Sequence, residues 1–548
     1  MNIIQQLEEK LKIPLEFNED TKVAHLVSKD AFVKAKKLQK SPKTVAEQII
    51  ANLKIDKKII EKIEVKGTGF INIFLTDDFL IKSLAGERGL TPQVRLKKIM
   101  VEYTDPNPFK VFHIGHLLPN LVGEGLCRVL EYVGNDVKRA NYQGDVGLHV
   151  AKAIYGIVKL GGINLAFSMN LNEKVEFLGE AYAFGANAYE EDESAKLDII
   201  ELNKKIYEED KSIMQAYDLG REWSLEKFEE IYKRLGTKFD YYYFESKTAT
   251  EGKKVVEKGL EKGVFEKSEG AVVYKGGNHT RVFINSIGLP TYEAKDLGLA
   301  PLKYKDYKYD LSVIVTGNEV NEYFDVVISA MTKMYKELGK KTIHIGHGML
   351  KLKSGKMSSR TGNIISGEGL LNMAVENVTK ILSKRKDLND EEKKVIAEQV
   401  GLSAVKYSIL KTTIGKNIIF DPGADISFEG NTGPYIQYTA VRANSILEKV
   451  GKKKLSETDV KLTDTETELL LKLNQFESMV LKSSESYSLH YLCNYLYQLA
   501  VLFNSYYSQV KIDEGKNTKA YRVNIVRVVS KTITTGLELL GIKVPSKM

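Results

Sequence analysis

Two cysteines in 548 residues, Cys127 and Cys493, leave no C-x-x-C pair and no disulfide framework. Each lies in apolar helical pattern, and Cys127 reads as a small core residue, as free cysteine usually is. No zinc knuckle is readable, so no protein-bound zinc or other metal site is expected. No run of about 18 apolar residues occurs. The first ten residues, M-N-I-I-Q-Q-L-E-E-K, lack a basic segment leading into an apolar core. A soluble, cytoplasmic protein with no membrane association is expected, working as a monomer. Internal repeats and low-complexity tracts are also missing, which excludes solenoids and linker-like chains. Neither sign of charge dominates: 80 basic against 72 acidic residues give +8, which fits an RNA-binding enzyme without demanding one. What is present is ordinary globular composition, 43% hydrophobic and 28% charged, in a length that predicts about three or four domains.

Residues 1–92 read as a separate α/β module. A basic stretch, Lys36–Lys43, precedes a helical pattern in Thr44–Leu53, and Ile63–Leu75 alternates as strand broken by a Gly turn. The lysines read as a solvated helix face ahead of an RNA contact, because charge runs usually are that. Gly86–Pro92 reads as a linker. Val94–Tyr103 is the first strand of a larger domain, and Gly134–Asn141 a second, ending in the Gly-punctuated turn Asn141–Gly147. From about 150 to 240 the pattern is helical with an acidic loop at Glu190–Glu193, and it carries the single tryptophan, Trp223. Aromatic positions there read as core. Sheet pattern returns at Val272–Tyr274, Arg281–Ile284, Leu311–Val315 and Thr342–Leu352, with helices at Tyr292–Ala300 and Val326–Leu338. From Glu368 the chain is helical almost to its end, apart from Asp421–Pro434.

The stretch that organises the rest is Val101–His116, V-E-Y-T-D-P-N-P-F-K-V-F-H-I-G-H. An alternating strand stops at a Pro-rich turn, an imidazole pair follows, and an amphipathic helix begins with Leu118, Leu121, Val122, Leu126, Val129 and Leu130 on one face. A helix N-terminus presents free N–H groups and favours phosphate, and two histidines add donors. The tetrapeptide His-Ile-Gly-His recurs at 344–347, but there alternation favours a strand, and it reads as structural.

His113–His116, followed about 240 residues later by Lys356-Met357-Ser358-Ser359, resembles the paired signatures of class I aminoacyl-tRNA synthetases. Asp105–Phe112, the N-x-x-G-D-x-G turn Asn141–Gly147, the Phe239–Ser246 element, Leu289–Asp296 and Ser427–Tyr438 narrow the resemblance to the arginyl-tRNA synthetase family, across nearly the whole chain. The resemblance implies a multidomain α/β protein. A class I Rossmann-like parallel-sheet catalytic domain is expected over 93–366, split by a helical insertion at about 150–240. An N-terminal α/β tRNA-binding module (1–92), a connecting helical region (367–430) and an α-helical anticodon-binding domain (431–548) complete it.

The implied reaction is activation of L-arginine by ATP, which enters with magnesium as a substrate complex, then transfer to tRNA(Arg). Attack of a carboxylate on the α-phosphate asks the protein for positioning and charge stabilisation. His113 and His116 suit the α-phosphate, and Gly115 lets the adenine approach the backbone. Lys356, with Met357 and Ser358, suits the outer phosphates. Lys110 competes with Lys356 for that part, and the sequence leaves both open. The resemblance places Asn107 at the α-amino group, and Glu245, Asp296 and Tyr292 around the guanidinium, whose fork of donors matches carboxylate oxygens. Gly317–Tyr323 departs from the family pattern, so Glu319 is carried only as a further candidate for the α-amino group. Tyr487, Tyr491, Tyr495, Tyr497, Tyr506 and Tyr507, with Lys511, Lys516, Lys519 and Arg522, are expected to offer RNA-binding surface, although Tyr491 and Tyr495 equally suit a bundle core. The rival readings are another class I synthetase, whose metal-ligand cysteines are missing, a silent tRNA-binding paralogue, and a small nucleotidylyltransferase.

Overall fold

A computed structural model describes residues 3–84, 96–276, 279–353, 366–451 and 460–548. The expected linker at 86–92 and the Lys356–Ser358 segment lie outside them. The chain forms two compact units, one of 95–381 with 408–422, the other of 1–94 with 382–407 and 423–548.

The first of these units is built on five parallel strands: β1 (Lys98–Tyr103), β2 (Asp136–Gln143), β3 (Tyr241–Phe244), β4 (Leu311–Gly317) and β5 (Thr342–His347). Their order is β5-β4-β1-β2-β3. Central β1 is buried from Ile99 through Tyr103, not alternating as the sequence suggested, because a parallel sheet is covered on both faces. Glu102 is tolerated inside because Lys303 Nζ donates to it at 2.6 Å. The sheet grows to one side through β2 and β3 and to the other through β4 and β5. The switch between β1 and β4 is where open α/β sheets take ligands, beyond the strands' C-terminal ends.

Helix α1 (Ile114–Tyr132) follows β1. Between β2 and β3 stand α2 (Leu148–Lys159), α3 (Leu171–Glu191), α4 (Glu193–Tyr207) and α5 (Lys211–Leu235). Gly156 and Gly185 let α2 and α3 pack backbone to backbone: a Cβ on either would fall 1.9 Å from a carbonyl oxygen of the other helix. The acidic Glu190–Glu193 is not a loop. Asp192 alone separates α3 from α4 and caps the latter, accepting from Ser194 N–H at 2.8 Å. After β3 come α6 (Glu245–Glu261), α7 (Tyr292–Asp306), α8 (Asn321–Met334) and α9 (Gly367–Leu382).

Two strand readings change partners. Val272–Tyr274 and Arg281–Ile284 belong to a separate antiparallel sheet of Glu266–Ser268, Ala271–Gly276 and His279–Ile284. The Thr342–Leu352 run breaks after His347, and Leu350–Leu352 pairs with Ile418–Phe420 instead.

In the other unit, the N-terminal part is a four-stranded antiparallel sheet ordered Glu16–Phe17, Leu26–Ser28, Phe70–Leu75, Ile60–Lys66. Gly67 and Gly69 turn the last hairpin at φ 58° and 143°, conformations that favour glycine. Lys36, Lys37, Lys40 and Lys43 are all exposed. The C-terminal part packs helices Gly433–Val450, Asp464–Asn474, Phe476–Glu485, His490–Gln509 and Ala520–Leu539. Tyr495 and Tyr506 are buried in this bundle, so they stack on helices, not on RNA. Arg522 is also engaged: its Nε donates to Glu466 Oε1 at 2.9 Å. Among the described residues, no helix is long and apolar enough to cross a membrane.

Glu466 is fully buried and also accepts from the Thr463 N–H at 3.0 Å. Glu466→Ala would leave the Arg522 guanidinium to the more distant Glu514 carboxylate at 3.5 Å, and is expected to destabilise this bundle by about 1–3 kcal/mol. A thermal unfolding midpoint unchanged from the parent chain would contradict that account.

Candidate active site

The turn that links β1 to α1 is strained. Thr104, Asp105 and Phe109 have φ of 80°, 40° and 68°, left-handed values that cost non-glycine residues about 1–3 kcal/mol each. Buried polar contacts hold each one. Thr104 Oγ1 accepts from Asn120 Nδ2 at 2.9 Å, and Asp105 Oδ1 accepts from the Tyr142 N–H at 2.8 Å. The Phe109 N–H donates to Ser224 Oγ on α5 at 2.9 Å. The Phe109 ring lies over Gly220 of the same helix, where a Cβ would come within 2.2 Å of it. The helical insertion thus fixes the turn that starts the site.

His113 and His116 stack with ring centroids 3.7 Å apart and planes 24° from parallel. The His113 N–H donates to His116 Nδ1 at 3.4 Å, which leaves the His116 proton on Nε2. Burial, followed by the nearby Lys110 charge, lowers His113 to about 4. Burial also pushes His116 well down, with the His113 and Lys110 charges adding to it. Both are therefore neutral imidazoles near pH 7, each with one N–H to donate. Gly115 is exposed, and a Cβ there would meet His113 Cε1 at 2.8 Å.

Lys110 lies with Nζ 4.9 Å from the centroid of the Tyr182 ring on α3. Burial lowers its pKa, while the Glu245 carboxylate works to raise it. Its charge thus acts on the histidines at one end and on Glu245 at the other.

At that second end, Asn107, Gly144 and Glu245 converge. A Cβ on Gly144 would sit 2.4 Å from Asn107 Oδ1 and 3.4 Å from Glu245 Oε1, so glycine is required for the two side chains to face one another. Glu245 is the first residue of α6, held there by Asp145 in the turn just after β2. Asp145 Oδ1 accepts from the Ser246 N–H and Oδ2 from the Ser246 hydroxyl, both at 2.8 Å. Asp145 Oδ2 also accepts from Arg221 Nε of α5 at 3.0 Å. Glu245 is buried, which raises its pKa, and its Oε2 accepts from Lys295 Nζ at 2.5 Å, which opposes the rise.

Tyr292, Lys295 and Asp296 share the first turn of α7. Tyr292 is 54% exposed, with Lys295 Nζ 4.5 Å from its ring centroid. Asp296 Oδ2 accepts from the Tyr323 hydroxyl. Burial, with the Glu102 and Glu245 charges adding, pushes Asp296 up to about 8 against that hydrogen bond. Glu319 stands on the turn after β4, where its carboxylate folds back over Gly317 and its charge acts on His347. The second His-Ile-Gly-His is strand β5: His344 stacks on Phe324 at 4.2 Å and bonds to Thr316 Oγ1 at 2.7 Å.

Contacts and charge interactions therefore link Asn107, Lys110, His113, Gly115, His116, Glu245, Tyr292 and Asp296 into one site. Lys356, Met357 and Ser358 are not described, but the residues after them are tied to it. The Gly367 N–H donates to the Phe112 carbonyl at 2.8 Å, and Ser366 bridges His113. Sequence reading missed Lys295, Tyr323 and Asp145. The insertion's aromatics are core as read, Phe177, Tyr217 and Trp223 among them, but two packed against that core also reach the site: Tyr182 meets Lys110 and the Tyr207 hydroxyl lies beside Lys295. The three-residue step from Tyr292 to Lys295 on one helix face was the available signal. Among the described residues, no cluster of three or more His, Cys, Asp or Glu side chains could hold a metal ion.

Residues 81–422 match the family described as tRNA synthetases class I (R), catalytic domain. Residues 436–548 match the DALR anticodon binding domain, and residues 2–75 the arginyl tRNA synthetase N terminal domain. The chain is 32% identical to the arginine–tRNA ligase of Phocaeicola vulgatus, over 94% of this chain and 92% of that one. It is 32% identical to that of Bacteroides thetaiotaomicron, over 93% and 91%. Among solved structures, the Thermus thermophilus arginyl-tRNA synthetase shares the fold with a TM-score of 0.83 at 24% identity, covering 100% of both chains. By these matches, which together span nearly its whole length, the chain belongs to the arginyl-tRNA synthetase family.

Proposed function

We infer that the chain is an ATP-dependent ligase that activates L-arginine to arginyl-adenylate and transfers it to the 3′ end of tRNA(Arg), releasing AMP and pyrophosphate. The observation that carries this reading is the crevice beyond β1, with a neutral histidine pair at one end and two carboxylates, Glu245 and Asp296, at the other. The arginine carboxylate attacks the α-phosphorus in line, a P–O bond forms, and pyrophosphate leaves with the electrons of the broken one. His116 Nε2–H and the free N–H of His113 donate to the α-phosphate oxygens as charge gathers on them. Neutral donors suit this task, since no proton has to move between ring and phosphate. Lys110 supports their end of the site by its charge. Lys356, Met357 and Ser358 are assigned to the outer phosphates on sequence grounds, and magnesium accompanies ATP as substrate.

Asn107 is assigned to the α-amino group, Glu245 and Asp296 to the guanidinium, and Tyr292 to its face. Glu319, turned toward His347, is the weaker candidate for the amino group. Residues 1–92 and 431–548 are assigned to tRNA, 93–366 to catalysis and 367–430 to their connection, in a cytoplasmic enzyme acting as a monomer.

Charging of bulk tRNA with each of the twenty amino acids in turn tests the whole reading: arginine alone should be attached, and no charging at all would leave a silent tRNA-binding protein. His116→Ala should lower arginylation by about two or more orders of magnitude, the scale of lost transition-state donors, while tRNA binding stays near normal. An unchanged rate would remove His116 from the mechanism. A pH dependence follows from Asp296. Its carboxyl keeps its proton until pH about 8, and that proton has to leave before a guanidinium can pair with it. Arginine KM should therefore fall as pH rises toward 8, by up to about tenfold per unit, and Asp296→Asn should abolish the trend. A wild-type arginine KM that stays flat from pH about 6.5 to 8.5 would sink the assignment.

A further inference from the structure

Lys295 takes no part in the reaction as derived above, yet it is 3% exposed and paired inside the amino-acid end of the crevice. The fold makes the pairing. Helices α6 and α7 touch backbone to backbone: a Cβ on Gly252 would fall 2.0 Å from the Ala294 carbonyl oxygen, and one on Gly298 2.4 Å from the Gly252 nitrogen. That contact brings the first turns of the two helices together, Glu245 on one and Lys295 on the other. The ammonium takes Glu245 Oε2, while Glu245 Oε1 stays on the Gly144 and Asn107 side. The Tyr292 ring and the Tyr207 hydroxyl pack around the same ammonium. Burial opposes its charge, and the Glu245 carboxylate more than compensates, so Lys295 stays protonated.

Two consequences follow for a substrate cation. Glu245 offers it one oxygen, in a direction set by Lys295. A fixed positive charge also stands beside the place where the cation ends. A guanidinium spreads its charge over a plane and reaches two acceptors at once, whereas an ammonium concentrates the same charge at one point. We propose that Lys295 is the resident counter-cation of the arginine pocket, orienting Glu245 for the guanidinium and repelling amino acids whose side chains end in an ammonium. It is a positioning residue that also supplies the repulsive element on which specificity often depends. The proposal rests on the assignment of Glu245 to the guanidinium.

The test compares the full-length wild type with Lys295→Gln, Lys295→Arg and Glu245→Gln, in tRNA charging with arginine and with lysine, alongside thermal unfolding midpoints. Lys295→Gln should raise arginine KM by about tenfold or more, the scale of one charge-assisted hydrogen bond, with kcat changed far less. Its preference for arginine over lysine in kcat/KM should fall by a similar factor. Lys295→Arg, which keeps a cation, should restore both. An unchanged arginine KM and an unchanged preference in folded Lys295→Gln would overturn the proposal, and so would equal damage from Gln and Arg, the mark of a space-filling role. If the Gln variant does not fold, folded Lys295→Arg decides alone: discrimination retained supports the proposal and discrimination lost defeats it. Glu245→Gln separates the two layers. An unchanged arginine KM there removes the underlying assignment, whereas a raised one beside an unaffected Lys295→Gln defeats only the part given to Lys295.

Discussion

The site depends on a backbone held against its own preference. Thr104, Asp105 and Phe109 all sit in the left-handed region, and a β-branched residue such as Thr104 would not stay there in a free chain. It stays because three separate elements supply hydrogen bonds that an ordinary turn would not satisfy: Asn120 from α1, Tyr142 from β2 and Ser224 from α5. Asn107 and Lys110 lie within or just beyond this bend, and His113 follows it. A change in any of the three supports would move the ends of the crevice together.

Charge inside this unit is handled in pairs. Glu102 has Lys303, Glu245 has Lys295, and Asp145 has Arg221 with the Ser246 hydroxyl. Asp296 is the contrast: its Oδ2 accepts from a neutral phenol, and burial and the surrounding carboxylates keep it protonated. The site thus combines a carboxylate paired with a buried ammonium and one whose proton has to leave on binding, and its histidines are held neutral by burial.

What was legible in the sequence were features with local causes. The first strand, the Pro-rich turn, the imidazole pair and the helix behind it are written in consecutive residues, and each stands where expected. So does the strand nature of the second His-Ile-Gly-His. Features made by distant contacts were not legible. Lys295 lies next to Asp296 in the chain, but its partner is 50 residues away and is reached only because two glycines let two helices touch. Tyr182 and Tyr207 read as core because nothing in the sequence says that α3 and α4 border the crevice. The Ala271–Gly276 strand has the composition of a sheet strand, and its antiparallel partners are a matter of topology that composition does not carry. Arg522 looked available to RNA until Glu466, buried on another helix, was found to hold it.

The order of strands also bears on how the chain is made. β1 is central, yet its β4 neighbour begins only at Leu311, after the insertion and the antiparallel sheet have been synthesised. On a ribosome adding about 5–20 residues per second, one edge of β1 waits roughly ten to forty seconds for its partner. During that interval the growing chain presents an apolar strand edge, the kind of template on which nascent chains aggregate. The helices of the insertion emerge first and carry Ser224 and Gly220, which seat Phe109 at the end of that strand. The insertion is thus placed in the order of synthesis to dock on the unfinished sheet before its last two strands arrive.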